Sequence, residues 1–395
     1  MKISKDEARD FLIRYQHLQG GEALRGTAGI VKYIQKVGCI QYDPLDIVGR
    51  NAELVLQSRI AGYRTGMLNQ ALYKERLLID GWDKMMAVYA ITDWPFFHRV
   101  RKQCGIDAVG TMQYRNSADA LLYTDTVLEA IQKNGPLMPR QVKTASAGPT
   151  SWGHKSLSGA AMDYLWTIGR LGVHNKVNAN KVYDLIENII PGEILDAPDP
   201  FATEHDFCKW YVHRRIGSVG MLWNKNGGGW LGQFLGDKKM RVRVLDELVD
   251  EGLLRLAEVE GIADKFYIRS GDWPLPERDS STRQMRFIAP LDNLLWDRAM
   301  LVKIFGFDYQ WEVYLPVEKR KYGYYVIPVL YGNRFVARFE PEKSATHMKI
   351  KNWWWEEDVE VDDELLSAAM TAMENFAACF EKPEGVHESV RGLLR

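Results

Sequence analysis

Two stretches of this chain, starting about 85 residues apart, repeat one order of helix and strand signals, and such repetition restricts the possible folds more than any single motif does. In the first stretch, residues 124–133 have helical spacing and Gly135-Pro136 turns the chain. Pro139-Arg140-Gln141-Val142 opens a second short helix, and residues 156–168 read as a third. Gly169-Arg170-Leu171-Gly172-Val173-His174 leads into a strand, residues 175–180 form a polar turn, and Lys181-Val182-Tyr183 returns. In the second stretch, helices are predicted at 205–216, 218–223 and 240–251. A strand follows at 252–256, then a turn at Glu260-Gly261 and a returning strand, Lys265-Phe266-Tyr267-Ile268. Three helices followed by a two-stranded wing is the order of a winged helix, a helix-turn-helix variant.

The N-terminal 40 residues predict two helices and could be a third, degenerate copy. Ser4 is placed to cap the first, with Asp6 and Glu7 in its first turn. Gly20-Gly21 separates it from the second, which Thr27 opens and Gly38 ends. Residues 39–43 read as extended. Asp43-Pro44 then suggests a helix start, with Asp as cap and Pro at the first helical position, running to Ile60. A further helix is expected at 66–78 and a strand at 85–91. Residues 105–118 carry no strong pattern, so a boundary is drawn there. Beyond Arg283, residues 287–340 are rich in Tyr, Val, Phe and Trp and predict a twisted antiparallel sheet. Residues 324–330 and 335–339, about the turn Tyr331-Gly332-Asn333-Arg334, predict a hairpin within it. One amphipathic helix, at 363–380, follows. The expected fold class is α+β and mainly α: tandem winged-helix units with a C-terminal antiparallel β-rich element. The expected segments are 1–115, 116–200, 201–283 and 284–395.

The 395 residues are 46% hydrophobic and 26% charged, which is ordinary globular composition. No run approaches 18 uninterrupted apolar residues, so no transmembrane span is expected. The first residues, MKISKDEARDF, lack an apolar core of signal-peptide type. Cys39, Cys104, Cys208 and Cys379 are far apart, which argues against a zinc site or a disulfide framework and fits a reducing cytoplasm. The net charge of −1 lacks the basic bias usual in nucleic-acid binders, so any DNA-binding surface must come from segregated charge. The chain is segregated in that way. Lys209, Arg214, Arg215, Lys225, Lys238, Lys239, Arg241 and Arg243 face a single acid, Asp237, between positions 209 and 243, whereas residues 356–364 are almost entirely acidic. Solvated faces of opposite sign would give the same pattern.

Chemistry is suggested most directly by Gln41-Tyr42-Asp43. In an extended chain alternate side chains share a face, which puts Gln41 beside Asp43. A carboxylate and a carboxamide side by side can hold one water, the carboxylate accepting its proton. Hydrolysis of an N-glycosidic bond uses such a pair, and the carboxylate can also stabilise positive charge developing on the sugar. Equally, Asp43 could only cap the next helix, with Gln41 a surface residue. His154-Lys155 precedes the third helix of the first repeat, where a phosphate contact would fall, although an ordinary exposed loop fits as well. Gly227-Gly228-Gly229 is followed by Trp230 rather than a Lys-Ser/Thr pair, which makes it a flexible loop and not a P-loop. Lys319-Arg320-Lys321-Tyr322-Gly323-Tyr324-Tyr325 interleaves basic and aromatic residues, as a nucleic-acid surface does and as a guarded sheet edge also does.

Three segments together resemble the AlkZ/YcaQ (AlkX) family of winged-helix DNA glycosylases. They are Ile40-Gln41-Tyr42-Asp43-Pro44-Leu45 with Arg50 and Ser58-Arg59, then Ala289-Pro290-Leu291-Asp292-Asn293-Leu294-Leu295-Trp296-Asp297-Arg298, then Tyr322-Gly323-Tyr324-Tyr325 through Pro328-Val329-Leu330-Tyr331-Gly332. The similarity runs from about residue 5 to 345. It implies tandem winged helices forming a C-shaped, positively lined channel for double-stranded DNA. It implies monofunctional glycosylase activity on alkylated purines, including unhooking of interstrand crosslinks, with no cofactor and no metal. The catalytic motif it implies is Gln, an apolar residue, then Gln or Asp. Here Gln41-Tyr42-Asp43 matches the Gln-x-Asp branch, with Tyr42 a mild departure. Asp43 would activate or position the water and Gln41 would help hold it.

The candidate DNA contacts are Arg50, Arg59, His154, Lys155, Arg214, Arg215, Lys238, Lys239, Arg298, Lys319 and Arg320. A monomer in the bacterial cytosol is expected, with no membrane association. The competing function is a non-catalytic winged-helix regulator. Such proteins read bases from a recognition helix, usually as dimers, and the small residues of 156–168 count against that. A scaffold that uses winged helices as protein adaptors is a third reading, against which the basic run at 209–243 counts mildly.

Overall fold

The structure is a computed structural model that describes residues 1–19, 24–144, 156–275 and 283–394. It mixes helix and sheet and divides into two compact units, Met1–Leu68 with Cys208–Arg395, and Asn69–Phe207. No helix among the described residues is long and apolar enough to cross a membrane.

In the Asn69–Phe207 unit, strands Leu78–Asp83 and Met85–Ala90 pair antiparallel about a tight turn in which Met85 has φ +58°. The region around 105–118, expected to be a patternless boundary, is instead largely the helix His98–Tyr114. It buries Val100, Cys104, Gly105 and Met112. Its first-turn positions are not acidic and its exposed face carries Ile106 and Tyr114, so the polar–apolar alternation that marks a helix in sequence is blurred.

Helix Thr124–Asn134 comes next, then a short 3-10 turn, Pro139–Gln141, and helix Leu157–Thr167. Ser156 caps that last helix, its side chain accepting from the Gly159 N–H at 3.2 Å. Strands Leu171–Val177 and Asn180–Leu185 then pair antiparallel, and Leu137 forms a bridge with Tyr183. Val127, Ile131, Leu157, Ala161, Leu165, Leu171 and Tyr183 bury together as the core under these elements. The expected pair His154-Lys155 lies outside the described residues.

In the other unit, Ser4 caps helix Lys5–Tyr15, as the sequence suggests, and Glu7 completes a reciprocal capping box. Helix Gly26–Val37 leads into the buried strand Cys39–Gln41. The helix expected from Asp43 does not form. Asp43 Oδ1 accepts the Leu45 N–H at 2.9 Å, a side-chain turn two residues long, and the next helix starts at Asn51 (Asn51–Gln57). Asp-Pro therefore turns the chain without propagating a helix.

Helix Glu204–Val219 is longer than expected, and residues 221–223, assigned to a short helix from sequence, are a strand. Met221–Trp223 pairs with Lys265–Arg269, which pairs with Leu254–Val259, which in turn pairs with Lys2–Ile3. Met221, Leu222 and Trp223 are all buried, so this apolar triplet satisfies its backbone in a ladder that short-range periodicity cannot reveal. A second sheet orders Met285–Phe287, Ile327–Tyr331, Arg334–Glu342 and Lys349–Trp355, all antiparallel. Its central hairpin turns at Gly332-Asn333, where Gly332 has φ +60°. Helix Asp363–Cys379 packs on the sheet through Phe376, whose ring lies 5.2 Å from that of Phe287 and 6.4 Å from that of Phe339.

Candidate active site

The strand carrying Gln41 is held by side chains from distant parts of the same unit. Asn51 Nδ2 donates to the Gln41 carbonyl at 2.9 Å, and Asn51 Oδ1 accepts the Leu291 N–H at 3.0 Å. Asn293 Nδ2 donates to the Cys39 carbonyl at 2.9 Å and to the Ser218 carbonyl at 3.0 Å. Both asparagines are buried, so each bond replaces water that cannot reach the strand. Asp292, between Leu291 and Asn293, takes Arg59 as a two-point ion pair at 2.8 Å through both guanidinium nitrogens, and both side chains are fully buried. The segment 289–298 thus fixes the strand from which Gln41 and Asp43 emerge.

Gln41 and Tyr42 are buried, and Asp43 is half-buried just beyond the strand end. Burial pushes the Asp43 carboxyl above the usual carboxylate value, and the Leu45 N–H pulls it back in part. The charge of Asp43 also reaches two phenols, Tyr314 and Tyr325, raising both after the larger effect of their own burial. Asp43 is therefore within electrostatic reach of an aromatic wall that Tyr314 and Tyr325 form with Trp311. A carboxylate short of water in this way is a stronger base than one at the surface. Sequence reasoning missed Asn51, Asn293, Tyr314 and Tyr325 as parts of this neighbourhood. Nothing local in the sequence marks Asn51 or Tyr314. Among the described residues no group of three or more His, Cys, Asp or Glu could hold a metal ion.

The candidate DNA contacts separate by burial. Lys238 and Lys239 are exposed at the start of helix Lys238–Asp250, where Asp237 caps the free N–H groups of Lys239 and Met240 at 2.8 and 3.2 Å. Lys319 is exposed, and Arg320 is half-buried over the Tyr324 ring at 5.0 Å. Arg214 is half-buried and donates to the Gly38 carbonyl at 2.8 Å. Arg50 is half-buried ahead of helix Asn51–Gln57.

Three others are turned inward, Arg59 and Arg215 buried and Arg298 half-buried, and correct the expectation from sequence. Arg59 is consumed by Asp292. Arg215 is 1% exposed and donates to the carbonyls of Gly229 and Leu231. Arg298 donates to the Pro290 carbonyl at 2.6 Å and lies 4.4 Å over the Tyr309 ring, and its burial holds its pKa down to about 10. A guanidinium so placed carries its charge into the fold rather than to a phosphate.

The glycine run 227–229 is not a loose loop either. A Cβ on Gly228 would lie 2.1 Å from the Trp296 carbonyl oxygen, so glycine allows this backbone to press against the 289–298 segment.

Comparison with known proteins bears on the same residues. Five chains of solved structure match at high significance. Streptomyces sahachiroi DNA glycosylase AlkZ is similar in fold, with a TM-score of 0.64 over 98% of this chain and 100% of that one, at 14% sequence identity. A family model described as DNA glycosylase AlkZ-like matches residues 34–377, a span that contains the Cys39–Gln41 strand, the 289–298 segment and the aromatic wall. The chain belongs to the AlkZ-like family of DNA glycosylases.

Proposed function

We propose that this chain hydrolyses the N-glycosidic bond of alkylated purines in double-stranded DNA, including bases joined in interstrand crosslinks, as a monofunctional glycosylase acting as a monomer. The observation that carries the reading is Asp43: a half-buried carboxylate with raised basicity, two residues beyond a buried glutamine, on a strand braced by Asn51 and Asn293.

In this reading Gln41 and Asp43 hold one water. Its oxygen attacks C1′ of the sugar, its proton passes to Asp43, and the C1′–N bond breaks with its electron pair leaving on the base. The negative charge of Asp43 also favours the cationic sugar that forms on the way. A base already charged by alkylation leaves as a neutral molecule, which is why alkylated purines suit a site with one carboxylate.

The segments 124–185 and 204–269 each carry helix, short turn, helix and hairpin, with an extra strand or bridge beside the hairpin. We read both as winged-helix units and assign them to duplex binding. The four-part division at 115/116, 200/201 and 283/284 belongs to this reading, as do a C-shaped channel for the duplex and a cytosolic location. The exposed Lys238, Lys239 and Lys319, with the half-buried Arg50, Arg214 and Arg320, are the cations assigned to phosphate contact. His154 and Lys155 keep the same assignment on sequence grounds.

The test is base release from duplexes carrying N7-methylguanine or a nitrogen-mustard crosslink, followed by strand scission at the abasic site with alkali. Free base from both substrates is expected. A protein that binds both duplexes and frees nothing would favour the regulator reading instead.

A further inference from the structure

Three rings in the segment 311–325 step outward from the core. Tyr325 is 2% exposed, Trp311 is half-buried, and Tyr314 is 73% exposed. Trp311 meets Tyr314 edge-on at 5.6 Å and Tyr325 at 6.3 Å between ring centroids. The backbone around them is pinned by two buried carboxylates. Glu312 accepts the N–H groups of Lys321, Tyr322 and Gly323 at 2.9, 3.0 and 3.2 Å. Glu340 accepts the Tyr324 N–H at 2.8 Å, and a Cβ on Gly323 would approach Glu340 to 2.5 Å, so the loop lies flat against it. Arg320 adds a bond to the Leu315 carbonyl at 2.9 Å.

An exposed aromatic residue on a loose loop needs no explanation. Tyr314 is different, because its backbone is braced and its phenol feels the charge of Asp43. A π face beside a carboxylate favours a flat cation over a flat neutral molecule, since ring quadrupole and anion both attract positive charge. A purine alkylated at a ring nitrogen is such a cation.

We propose that Tyr314 is a specificity-determining residue whose exposed ring stacks on a cationic nucleobase presented to Asp43. The target is taken from the glycosylase reading, but the contact itself does not depend on turnover. A neutral purine gains only the stacking, whereas the charged one gains the electrostatic attraction as well.

The experiment is therefore a binding measurement with the full chain. Fluorescence anisotropy compares duplexes carrying N7-methyl-2′-fluoro-2′-deoxyguanosine or 2′-fluoro-2′-deoxyguanosine at one position, the fluorine suppressing base loss. Wild type is expected to bind the methylated duplex about 10-fold more tightly, the scale of one partly desolvated cation–π contact. Tyr314→Phe should keep the preference within about 3-fold, because the π face remains. Tyr314→Leu should cut the preference to about 2-fold, the share left to the Asp43 charge, and should weaken both duplexes by the stacking they have in common, while the melting temperature stays unchanged because the side chain is on the surface. A Leu variant that discriminates as well as wild type overturns the proposal, and so does a wild type with no preference. A wild type that prefers the charged base yet frees none from the 2′-deoxy duplex removes the glycosylase reading and leaves Tyr314 as a reader of charge.

Discussion

At the scale of single residues, Asp43 holds a proton more tightly in the fold than in the unfolded chain. Burial is the cause, outweighing the Leu45 N–H. The sign follows from linkage. A carboxyl raised by folding contributes stability that is full below its unfolded pKa and is lost as pH rises through the raised value. Asp43→Asn removes that loss and keeps an oxygen for the Leu45 N–H. The variant should melt above wild type at neutral pH, with the gap closing as pH falls towards about 4, near the unfolded carboxyl. Paired thermal melts across that range check this, and equal melting temperatures at every pH would contradict it. The extended chain at Cys39–Gln41 was legible in the sequence because strand signals are local, although the strand ends at Gln41 and leaves Asp43 in a side-chain turn beyond it. The inward turn of Arg59, Arg215 and Arg298 was not, because an arginine looks the same in sequence whether its partner is a phosphate or Asp292, 233 residues away.

At the scale of elements, local signals held where capping and turn chemistry decide the structure. The Ser4 cap and the Gly332-Asn333 hairpin turn both form as read. Signals failed where long-range pairing decides. Met221–Trp223 looks like a helix end and is a strand only because Lys265–Arg269 lies beside it. Asp43-Pro44 looks like a helix start, yet the helix waits until Asn51.

The loop 311–325 offers the clearest test at this scale. Glu312 is 5% exposed, and although burial raises its carboxyl, the three backbone N–H donors outweigh that and hold it below the usual value. Glu312→Ala leaves three N–H groups facing no acceptor, which should cost about 1–3 kcal/mol. Urea unfolding at pH 7 measures it. Because the wild-type carboxyl is depressed, its contribution is present above the unfolded pKa and is lost as pH falls through the folded one, so the gap between variant and wild type should narrow in acid. A pH-independent gap would assign the loss to packing instead.

At the scale of the whole molecule, a net charge of −1 can still bind DNA because the cations are local. Lys238 and Lys239 sit at one exposed helix start, and the acidic run at 356–364 lies far from them in sequence. Binding to undamaged duplex should weaken with salt, and Lys238→Ala and Lys239→Ala should each lower the slope of log affinity against log salt by about 1. Unchanged slopes would remove these lysines from the interface.

The central claim, that Gln41 and Asp43 hydrolyse the glycosidic bond, is tested most directly by single-turnover base release from an N7-methylguanine duplex as a function of pH. Wild type should lose rate on acidification with a midpoint above the usual carboxylate range, and Asp43→Asn should be slower by about 100-fold or more with that acidic limb gone. Gln41→Ala should also be slower while the limb persists. An Asp43→Asn enzyme with wild-type rates would contradict the account, leaving Asp43 as a turn residue in a glycosylase whose base lies elsewhere.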